Sequence, residues 1–203
     1  MQRLSNDPDL KDDRQIEWCF CGNNTPTGKK VLDIGCNMSI LSTYALNRNN
    51  TVTGIDIEQG QKIDHKNFTF IQTDFLKYKT KEKFDFIYAC STVEHIGLSG
   101  RYSNEEDEDG DLKAMKKIRS LLAPFGRVAL TIPVGTDKIV KPVHRIYGNK
   151  RIEALLEDFR VDKSEAWHKM DGYHWQRVGG EYTSEIEGSE KYYCLGLFLL
   201  EGK

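Results

Sequence analysis

Gly35 and Asp56 have the residue types and the spacing of a nucleoside-binding site. Gly35 follows the apolar run of residues 30–34, which is too short for a helix and typical of a strand buried on both faces. A glycine allows a tight turn from that strand into a helix, predicted over residues 38–46. Asp56 ends a second predicted strand, residues 51–56, where a carboxylate can accept hydrogen bonds from ribose hydroxyls. The pattern predicts a strand-helix-strand unit that binds a nucleoside.

The residues that follow Gly35 narrow the choice of nucleoside. The turn reads Cys36-Asn37-Met38-Ser39, with no further glycine. A dinucleotide fingerprint needs additional glycines so that backbone N–H groups can approach a pyrophosphate. S-adenosylmethionine carries no phosphate, so it does not impose that requirement. The sequence therefore favours S-adenosylmethionine over NAD as the ligand.

Two segments of this unit resemble motifs I and II of the class I S-adenosylmethionine-dependent methyltransferases. They are Val-Leu-Asp-Ile-Gly-Cys at 31–36 and Val-Thr-Gly-Ile-Asp at 52–56. The family usually has glycine at one or both of the positions that Asn37 and Ser39 occupy here, and Asn tolerates left-handed backbone angles better than most residues. The resemblance covers Lys30 to Pro133 and includes the Leu-Leu-Ala-Pro-Phe-Gly turn before the fifth strand.

The resemblance implies cofactor contacts at the ends of four strands. Asp74, after the third predicted strand at 68–72, matches the family position that contacts the adenine amino group, and the aromatic residue beside it can pack on the adenine ring. The alternative for Asp74 is a loop cap. The implied cofactor contacts are Asp33, Gly35, Cys36, Asn37, Asp56, Ile57, Asp74, Phe75, Cys90 and Ser91.

Glu94 and His95 follow the fourth predicted strand, residues 84–89, and resemble a Glu-His pair that is frequent at this place in the family. Ligands bind at the carboxyl ends of the strands in open α/β sheets. His95 is therefore a candidate general base with an ordinary pKa near ~6.5, which predicts a rate that falls below about pH 6.5. Glu94 is a further candidate catalytic residue, and His144 is the second candidate base. The alternative is that His95 begins a helix and only lines the cofactor site.

Six carboxylates crowd into residues 105–111, directly before a helix predicted over 112–122. Oxygen ligands on a loop suit Mg²⁺ or Ca²⁺, although the spacing is not that of an EF-hand. The candidate cation ligands are Asp107, Asp109 and Asp111. The favoured interpretation is an acidic flank that interacts with the helix dipole, without a metal. A third interpretation is that these acids bind substrate hydroxyls together with Arg101 and Tyr102.

The C-terminal third is predicted to supply a wall of the substrate site. Residues 134–147 are predicted to form a loop that faces the cleft, followed by a helix at 150–157. A long insertion, 168–190, separates the predicted strands six (159–167) and seven (191–200). Aromatic residues and histidines in such loops suit a ring-stacking substrate wall, with a loose hairpin as the alternative. The candidate substrate contacts are Arg101, Tyr102, Arg145, Tyr147, His174 and Trp175.

Composition places the chain among ordinary globular proteins. Its 203 residues carry a net charge of -2, which offers no general attraction to nucleic acid or to an anionic membrane. No apolar run approaches the roughly 20 residues that cross a bilayer, and the N-terminus has no signal-peptide core, so a cytoplasmic location is expected. Cys19 and Cys21 are too closely spaced for a zinc knuckle, and reduced thiols are expected.

These observations predict an α/β protein with a Rossmann-like doubly wound sheet of about seven strands, the seventh antiparallel. One domain is expected, with an N-terminal cap at 1–29, a cofactor-binding core at 30–133 and a substrate-side half at 134–203. The predicted helix at 12–20 lies across the cofactor cleft or covers an edge of the sheet. The two interpretations of this helix stay open at the level of the sequence.

The resemblance implies methyl transfer from S-adenosylmethionine to an oxygen or nitrogen of a small polar acceptor. Residues 90–93, Cys-Ser-Thr-Val, match neither the Asp/Asn-Pro-Pro-aromatic motif of base-directed amino methyltransferases nor the Pro-Cys pair of cytosine-C5 enzymes. A sugar or glycan precursor is the favoured acceptor, because the chain is similar to methyltransferase-like proteins often associated with glycan synthesis. The alternatives are a catalytically silent S-adenosylmethionine-binding or regulatory subunit and an NAD-dependent dehydrogenase.

Overall fold

An eight-stranded mixed sheet forms the centre of the structure, and a separate two-stranded sheet lies beside it. The computed structural model describes residues 12–37, 39–60, 62–102, 106–169, 174–179, 183, 185–191 and 193–203. The strands are β1 (Lys30–Ile34), β2 (Thr51–Asp56), β3 (Phe68–Gln72), β4 (Phe84–Cys90), β5 (Leu122–Val134), β6 (Lys138–Val140), β7 (His144–Ile146), β8 (Phe159–His168), β9 (Gln176–Val178) and β10 (Cys194–Gly202). The helices are α1 (Asp13–Asn24), α2 (Leu41–Asn47), α3 (Gly110–Leu121) and α4 (Asn149–Leu155), with short 3-10 helices at Phe75–Lys77 and Val93–His95.

The parallel half of the large sheet assembles the predicted nucleoside-binding unit. The strand order is β3-β2-β1-β4-β5-β10-β8-β9, and the pairings from β3 through β5 are all parallel. Val31 and Leu32 of β1 are completely buried, which agrees with the apolar run in the sequence. Because parallel strands end at the same edge of a sheet, the residues that follow β1 to β4 meet at one place.

The antiparallel half of the sheet is larger than predicted. β10 pairs antiparallel with β5 and β8, and β9 pairs antiparallel with β8. The predicted α/β class with an antiparallel last strand is confirmed, but the large sheet has eight strands rather than seven. The additional strand is β9, which lies inside the predicted insertion at 168–190. Its three residues are too few to give a periodic signal in the sequence.

The segment predicted as a loop at 134–147 instead contains an antiparallel hairpin formed by β6 and β7. Val140 pairs with His144, and the Val143 N–H donates a hydrogen bond of 2.7 Å to the Val140 carbonyl across the turn. Ile139 and Val140 are β-branched residues that favour an extended backbone. The loop prediction is wrong here because strands of three residues are shorter than the pattern needed to recognise them.

α1 begins where the sequence predicts a helix, and it covers the middle of the sheet. The Asp12 side chain accepts a hydrogen bond from the Arg14 N–H at 3.0 Å, and the Gln15 side chain accepts one from the Asp12 N–H, which makes a capping box. Ile16 and Phe20 belong to an apolar cluster that includes residues of α2, β4, β5 and β10. Since β4, β5 and β10 are internal strands, the edge-covering interpretation of this helix is wrong.

The connections after β2 and β3 are short, as the sequence indicates. Among the described residues of these two connections, the helical segment is the 3-10 helix Phe75–Lys77 after β3. α3 buries Ala114, Met115 and Ile118 against the sheet, at the helical spacing predicted for this segment.

Some predictions concern residues outside those described, namely the start of the N-terminal cap (1–11), Met38, Glu105, parts of the insertion (170–173, 180–182 and 184) and Tyr192. None of the described helices combines the length and the apolar character needed to span a membrane.

Candidate functional site

A pocket of about 470 Å³ opens at the carboxyl ends of β1 to β4. It is lined by the residues that follow these strands, by one face of α1 and by the loop after β4. Most of the predicted cofactor contacts lie in this wall: Gly35, Asn37, Asp56, Ile57, Asp74, Phe75, Cys90 and Ser91. The strand ends therefore bring together residues that are far apart in the sequence.

Gly35 forms a turn in which the backbone and the available space both require glycine. Its φ is +74°, a left-handed conformation that glycine adopts without steric cost. A Cβ atom on Gly35 would lie 2.3 Å from Thr92 Oγ1, and that hydroxyl donates a hydrogen bond of 3.0 Å to the Ile34 carbonyl. The turn after β1 thus packs directly on the segment that follows β4.

Replacing Gly35 by Ala is expected to lower both stability and cofactor affinity, because the added methyl group must displace Thr92 or move the turn. The left-handed backbone costs an alanine about 1–2 kcal/mol, and the steric clash adds to this. Gly28→Ala is the matched control, since Gly28 has a φ of +68° but its Cβ would meet nothing within 4 Å. The thermal midpoints of the two variants measure the difference. Equal midpoints would contradict the packing described for Gly35.

Asp56 connects the turns that follow β1 and β2. Its Oδ2 accepts a hydrogen bond from the Asn37 N–H at 2.9 Å, and its Oδ1 accepts one from the Glu58 N–H at 2.9 Å. The Asn37 side chain donates to the Glu58 carboxylate at 3.0 Å. A carboxylate offers about four acceptor positions, so two positions remain for the hydroxyls of a ribose. Asn37 therefore helps to hold together the turns that follow β1 and β2.

Asp74 caps the 3-10 helix after β3 and also lines the pocket. Its Oδ1 accepts a hydrogen bond from the Leu76 N–H at 2.8 Å, and Lys77 Nζ lies 3.9 Å from its Oδ2. Phe75 beside it is buried, with its ring in the pocket wall. The loop-cap interpretation of Asp74 is therefore correct, and the cap leaves acceptor positions on the carboxylate for a ligand.

Asp33 and Cys36, two predicted cofactor contacts, lie outside the pocket wall. The Asp33 Oδ2 accepts a hydrogen bond from Ser42 Oγ at 2.8 Å, and burial raises the pKa of Asp33 to about 7. Cys36 is buried beside Gly54, and burial raises the pKa of its thiol. Both side chains are directed into the protein, where Asp33 fixes α2 to β1. The structure therefore does not bring these two side chains together with the other predicted cofactor contacts.

α1 supplies two pocket residues that the sequence analysis does not identify, Arg14 and Trp18. They are four positions apart and therefore share one face of the helix. Arg14 Nη1 donates to Glu17 Oε2 at 2.8 Å, and Thr131 Oγ1 donates to the other Glu17 oxygen at 2.6 Å. Glu17 is buried, which raises its pKa to about 8. α1 thus lies across the cleft, and the Arg-x-x-Glu spacing indicates only that the two side chains share a face of the helix.

His95 lines the pocket with one ring nitrogen already engaged. Its Nδ1 lies 2.6 Å from the Val143 carbonyl oxygen, which can only accept, so Nδ1 carries the proton and Nε2 is free to receive one. Burial lowers the pKa of His95 to about 4, and the positive charges of Arg101 and Arg14 act in the same direction. The expected titration near pH 6.5 is therefore corrected, and the imidazole is neutral at physiological pH.

Glu94 is buried behind His95 and is not part of the pocket wall. Its Oε1 accepts a hydrogen bond from Ser91 Oγ at 3.0 Å and lies 3.7 Å from His95 Nε2. Within the described residues its Oε2 has no hydrogen-bond partner. Burial raises the pKa of Glu94 to about 7. Glu94, a predicted catalytic residue, therefore lies beside the pocket and is placed to influence His95 electrostatically.

His144, the second candidate base, lies away from the pocket. It is 5% exposed, its Nε2 lies 3.3 Å from the Ser189 carbonyl oxygen, and its ring packs edge-on against Tyr193. The pairing of β7 with β6 turns this side chain into the protein. Its predicted role near the methyl-transfer axis has no support from its position.

Arg101 and Tyr102 are the predicted substrate contacts that line the pocket. Arg145 is instead buried, and its guanidinium donates to the carbonyls of Ile96 at 2.6 Å and Asp107 at 3.1 Å. It fastens the β6–β7 hairpin to the loop after β4. The prediction that Arg145 meets the substrate is corrected to this structural role.

The remaining predicted substrate contacts also lie outside the pocket wall. Tyr147 is completely buried, and Trp175 is buried in an apolar cluster next to Tyr193. His174 precedes β9 and is not among the lining residues. The predicted ring-stacking wall from the 168–190 segment is therefore absent from this pocket in the described part of that segment.

The three candidate cation ligands are each paired with a basic side chain. Asp107 lies 2.6 Å from Lys113 Nζ, Asp109 lies 3.1 Å from an Arg151 nitrogen, and Asp111 also pairs with Arg151. The described residues contain no group of three or more His, Cys, Asp or Glu side chains that could hold a metal ion. Asp111 lies in the first turn of α3, as the helix-flank interpretation requires.

Known protein sequences with similarity to this chain include curated methyltransferases. The ubiquinone biosynthesis O-methyltransferase of Actinobacillus pleuropneumoniae is 38% identical over 200 residues, covering 83% of this chain and 79% of the relative. The protein of the same name from Pasteurella multocida is 36% identical over 201 residues, covering 83% and 78%. A family model described as "Caenorhabditis protein of unknown function, DUF268" matches residues 35–168, more than half of the chain.

Solved structures with the same fold include small-molecule methyltransferases. The 1,6-didemethyltoxoflavin-N1-methyltransferase of Burkholderia thailandensis, solved with 1,6-didemethyltoxoflavin and S-adenosylhomocysteine, has a TM-score of 0.66 and 15% identity, covering 94% of this chain and 80% of that one. The N-methyltransferase NodS of Bradyrhizobium japonicum with S-adenosylhomocysteine has a TM-score of 0.60 and 14% identity, covering 99% and 91%. At such identities the similarity concerns the fold.

Proposed function

The chain belongs to the S-adenosylmethionine-dependent methyltransferases and to the DUF268 family, and we propose that it methylates a hydroxyl group of a small polar acceptor with His95 as the general base. The bound cofactor supplies a methyl group that its sulfonium already activates. The protein then has to align the acceptor, exclude water and remove the hydroxyl proton. The NAD-dependent alternative is set aside, because the relatives that define the family are methyltransferases.

The distance of 2.6 Å between His95 Nδ1 and the Val143 carbonyl oxygen is the observation that carries the proposal. The Nδ1–H of His95 is held by the Val143 carbonyl, so Nε2 keeps the lone pair that removes a proton from a hydroxyl. An amine acceptor is already nucleophilic when neutral and has less need of a base. The name O-methyltransferase of the relatives is consistent with a hydroxyl acceptor.

Glu94 would assist His95 once the imidazole has taken up the proton. The imidazolium carries a positive charge in a buried setting, and the Glu94 carboxyl group lies 3.7 Å from Nε2. An ionised Glu94 stabilises that charge, whereas a protonated Glu94 does not. Because the pKa of Glu94 is about 7, this assistance is present above that pH and is lost below it.

The pocket residues fit the parts of S-adenosylmethionine. Asp56 retains acceptor positions for the ribose hydroxyls, and Asp74 and Phe75 suit the amino group and the ring of adenine. Arg14, anchored by buried Glu17 at 2.8 Å, suits the carboxylate of the methionine part. The side chains would hold the cofactor with its amino-acid end towards α1.

Replacing Arg14 by Gln is expected to raise the dissociation constant for S-adenosylhomocysteine roughly ten-fold, because a charge-assisted hydrogen bond to a carboxylate is lost. The affinity for methylthioadenosine, which has no amino-acid part, should stay within a factor of about two of the wild-type value. Calorimetric titrations of the wild-type protein and the variant with each ligand measure the two changes in affinity. Equal losses for the two ligands would remove Arg14 from the carboxylate.

The acceptor proposed is a small hydroxylated molecule, and a sugar or glycan precursor is the favoured case. The test is to incubate the protein with a deproteinised cell extract and either S-adenosylmethionine or its methyl-deuterated form. Each methylated product then gives two peaks in the mass spectra, whose mass difference is that between a CH₃ and a CD₃ group. Fragmentation of the product shows whether the methyl group is on oxygen. A methyl group on nitrogen would overturn the hydroxyl assignment. Cofactor binding without any such pair would favour a catalytically silent module.

A further inference from the structure

We infer that the acceptor carries an acidic group, a carboxylate or a phosphate, which binds to Arg101 beside His95. The inference rests on the methyl transfer proposed above and adds the charge of the substrate. It starts from the unequal distribution of charge in the pocket. Three acids and one lysine line the part formed after β2 and β3, namely Asp56, Glu58, Asp74 and Lys77, whereas Arg14 and Arg101 line the part formed by α1 and the loop after β4.

The acidic part of the pocket suits adenosine, which carries no negative charge. The basic part is where the acceptor must lie, because it contains His95. Among the described residues, the acid that lines the pocket at that end is Asp107, whose carboxylate is 2.6 Å from Lys113 Nζ. An acceptor with an acidic group would find a complementary field there, whereas a cationic acceptor would be repelled.

The loop that carries Arg101 packs closely against neighbouring segments. Gly97 has a φ of +82°, and a Cβ there would lie 2.2 Å from the Asp107 carbonyl oxygen. The buried guanidinium of Arg145 donates hydrogen bonds to the carbonyls of Ile96 and Asp107. Further along, a Cβ on Gly100 would lie 3.1 Å from the Pro142 Cβ of the β6–β7 turn. These buried contacts hold the backbone before and after Arg101, whose own side chain is exposed at the rim of the pocket beside Tyr102.

Arg101, Tyr102 and His95 form one continuous surface. The Arg101 guanidinium carbon lies 4.9 Å from the centre of the Tyr102 ring, and the Tyr102 ring is edge-on to the His95 ring with centres 5.3 Å apart. All three residues line the pocket. An anion bound by Arg101 would bring the rest of the acceptor over the aromatic ring towards His95 Nε2.

Arg101 differs from the other arginines near the site in its partners. Arg14, Arg145 and Arg151 each have a carboxylate partner. No ion pair among the described residues includes Arg101. Its guanidinium instead makes a cation–π contact with the face of Tyr102. Its planar fork of N–H donors matches the geometry of a carboxylate or a phosphate. With Arg14 assigned to the methionine carboxylate, Arg101 is the guanidinium available to the acceptor.

The test uses S-adenosylmethionine with a tritium-labelled methyl group and a deproteinised cell extract, followed by anion exchange at neutral pH. The labelled product of the wild-type protein is expected to bind to the column and to elute with salt. In Arg101→Gln, the KM for that acceptor is expected to rise roughly ten-fold or more, since an ionic hydrogen bond is lost. The dissociation constant for S-adenosylhomocysteine should be unchanged. Arg101→Lys should recover part of the loss, and Arg177→Gln on β9 is the matched control.

The outcomes separate this inference from the proposed function. A labelled product in the unbound fraction would mean that methyl transfer occurs to an acceptor without an acidic group, which would overturn the inference alone. An unchanged KM in Arg101→Gln would overturn it as well. Absence of labelled product from every fraction would contradict the proposed methyl transfer itself, and the inference would be withdrawn with it.

Discussion

Replacing His95 by Ala is expected to lower kcat by ~10²–10⁴-fold, the range typical for loss of a general base. The physical reason is that Nε2, left unprotonated by the Nδ1–H bond to Val143, is the proton acceptor available at the pocket wall. Affinity for S-adenosylmethionine should be retained, since His95 is not among the residues placed on the ribose or the adenine. The rate of S-adenosylhomocysteine formation at saturating cofactor measures the effect.

Two other histidines serve as controls for this experiment. His65→Ala changes an exposed side chain and should leave kcat unchanged. His144→Ala changes the second histidine considered as a base, which is buried away from the pocket, and should not reproduce the loss in kcat. A kcat within a few-fold of the wild-type value in His95→Ala would show that the protein works by alignment alone.

The pH dependence of kcat separates His95 from Glu94. A base acts in its neutral form, and a pKa of about 4 keeps His95 neutral until the pH falls through that value. A decrease of kcat as the pH falls through about 7 would instead belong to Glu94, whose carboxylate is lost there. That decrease should be absent from Glu94→Gln. If it persists in Glu94→Gln with a midpoint near ~6.5, His95 titrates as an ordinary histidine and its described environment is wrong.

Replacing Asp56 by Ala is expected to weaken S-adenosylmethionine binding by about 1–3 kcal/mol, which is roughly a 5- to 150-fold rise in Kd. The substitution removes the carboxylate that we propose as the acceptor for the ribose hydroxyls. It also releases the N–H groups of Asn37 and Glu58, which now bond to Asp56 at 2.9 Å. Calorimetric titration of the variant measures the combined effect.

Asp64→Ala is the matched control for Asp56→Ala, because Asp64 is an exposed acid that follows β2 without lining the pocket. It should bind the cofactor with wild-type affinity. An unchanged dissociation constant in Asp56→Ala would move the ribose contact elsewhere. Glu58 would then be the next candidate, since it lines the same wall.

The sequence could predict which strand ends meet at the pocket, where we propose that the cofactor binds, because the signals for these strands are local. Gly35 follows β1 and Asp56 ends β2, and both strands are recognisable from their own residues. Parallel pairing of β1 with β2 and β4 is enough to bring the strand ends together. The direction in which a strand side chain points is harder to predict from neighbouring residues alone. Asp33 belongs to motif I, yet its carboxylate bonds to Ser42 of α2 instead of facing the pocket.

The remaining predictions failed where the position of a residue depends on contacts between segments far apart in the chain. Arg14 reaches the pocket because α1 packs across β4, β5 and β10, and no pattern within residues 12–24 specifies that position. Arg145 and His144 are polar residues that usually lie at a surface, but the β6–β7 hairpin buries both of them. That hairpin and β9 consist of strands of three residues, which are too short to be read as strands.

The most direct test of the account is the amount of S-adenosylhomocysteine formed per molecule of protein in the presence of acceptor extract. For the wild-type protein we predict many turnovers, and for His95→Ala we predict cofactor binding with little product. Saturable binding of S-adenosylmethionine by the wild-type protein, with no S-adenosylhomocysteine formed above the background without extract, would contradict the claim that this pocket catalyses methyl transfer.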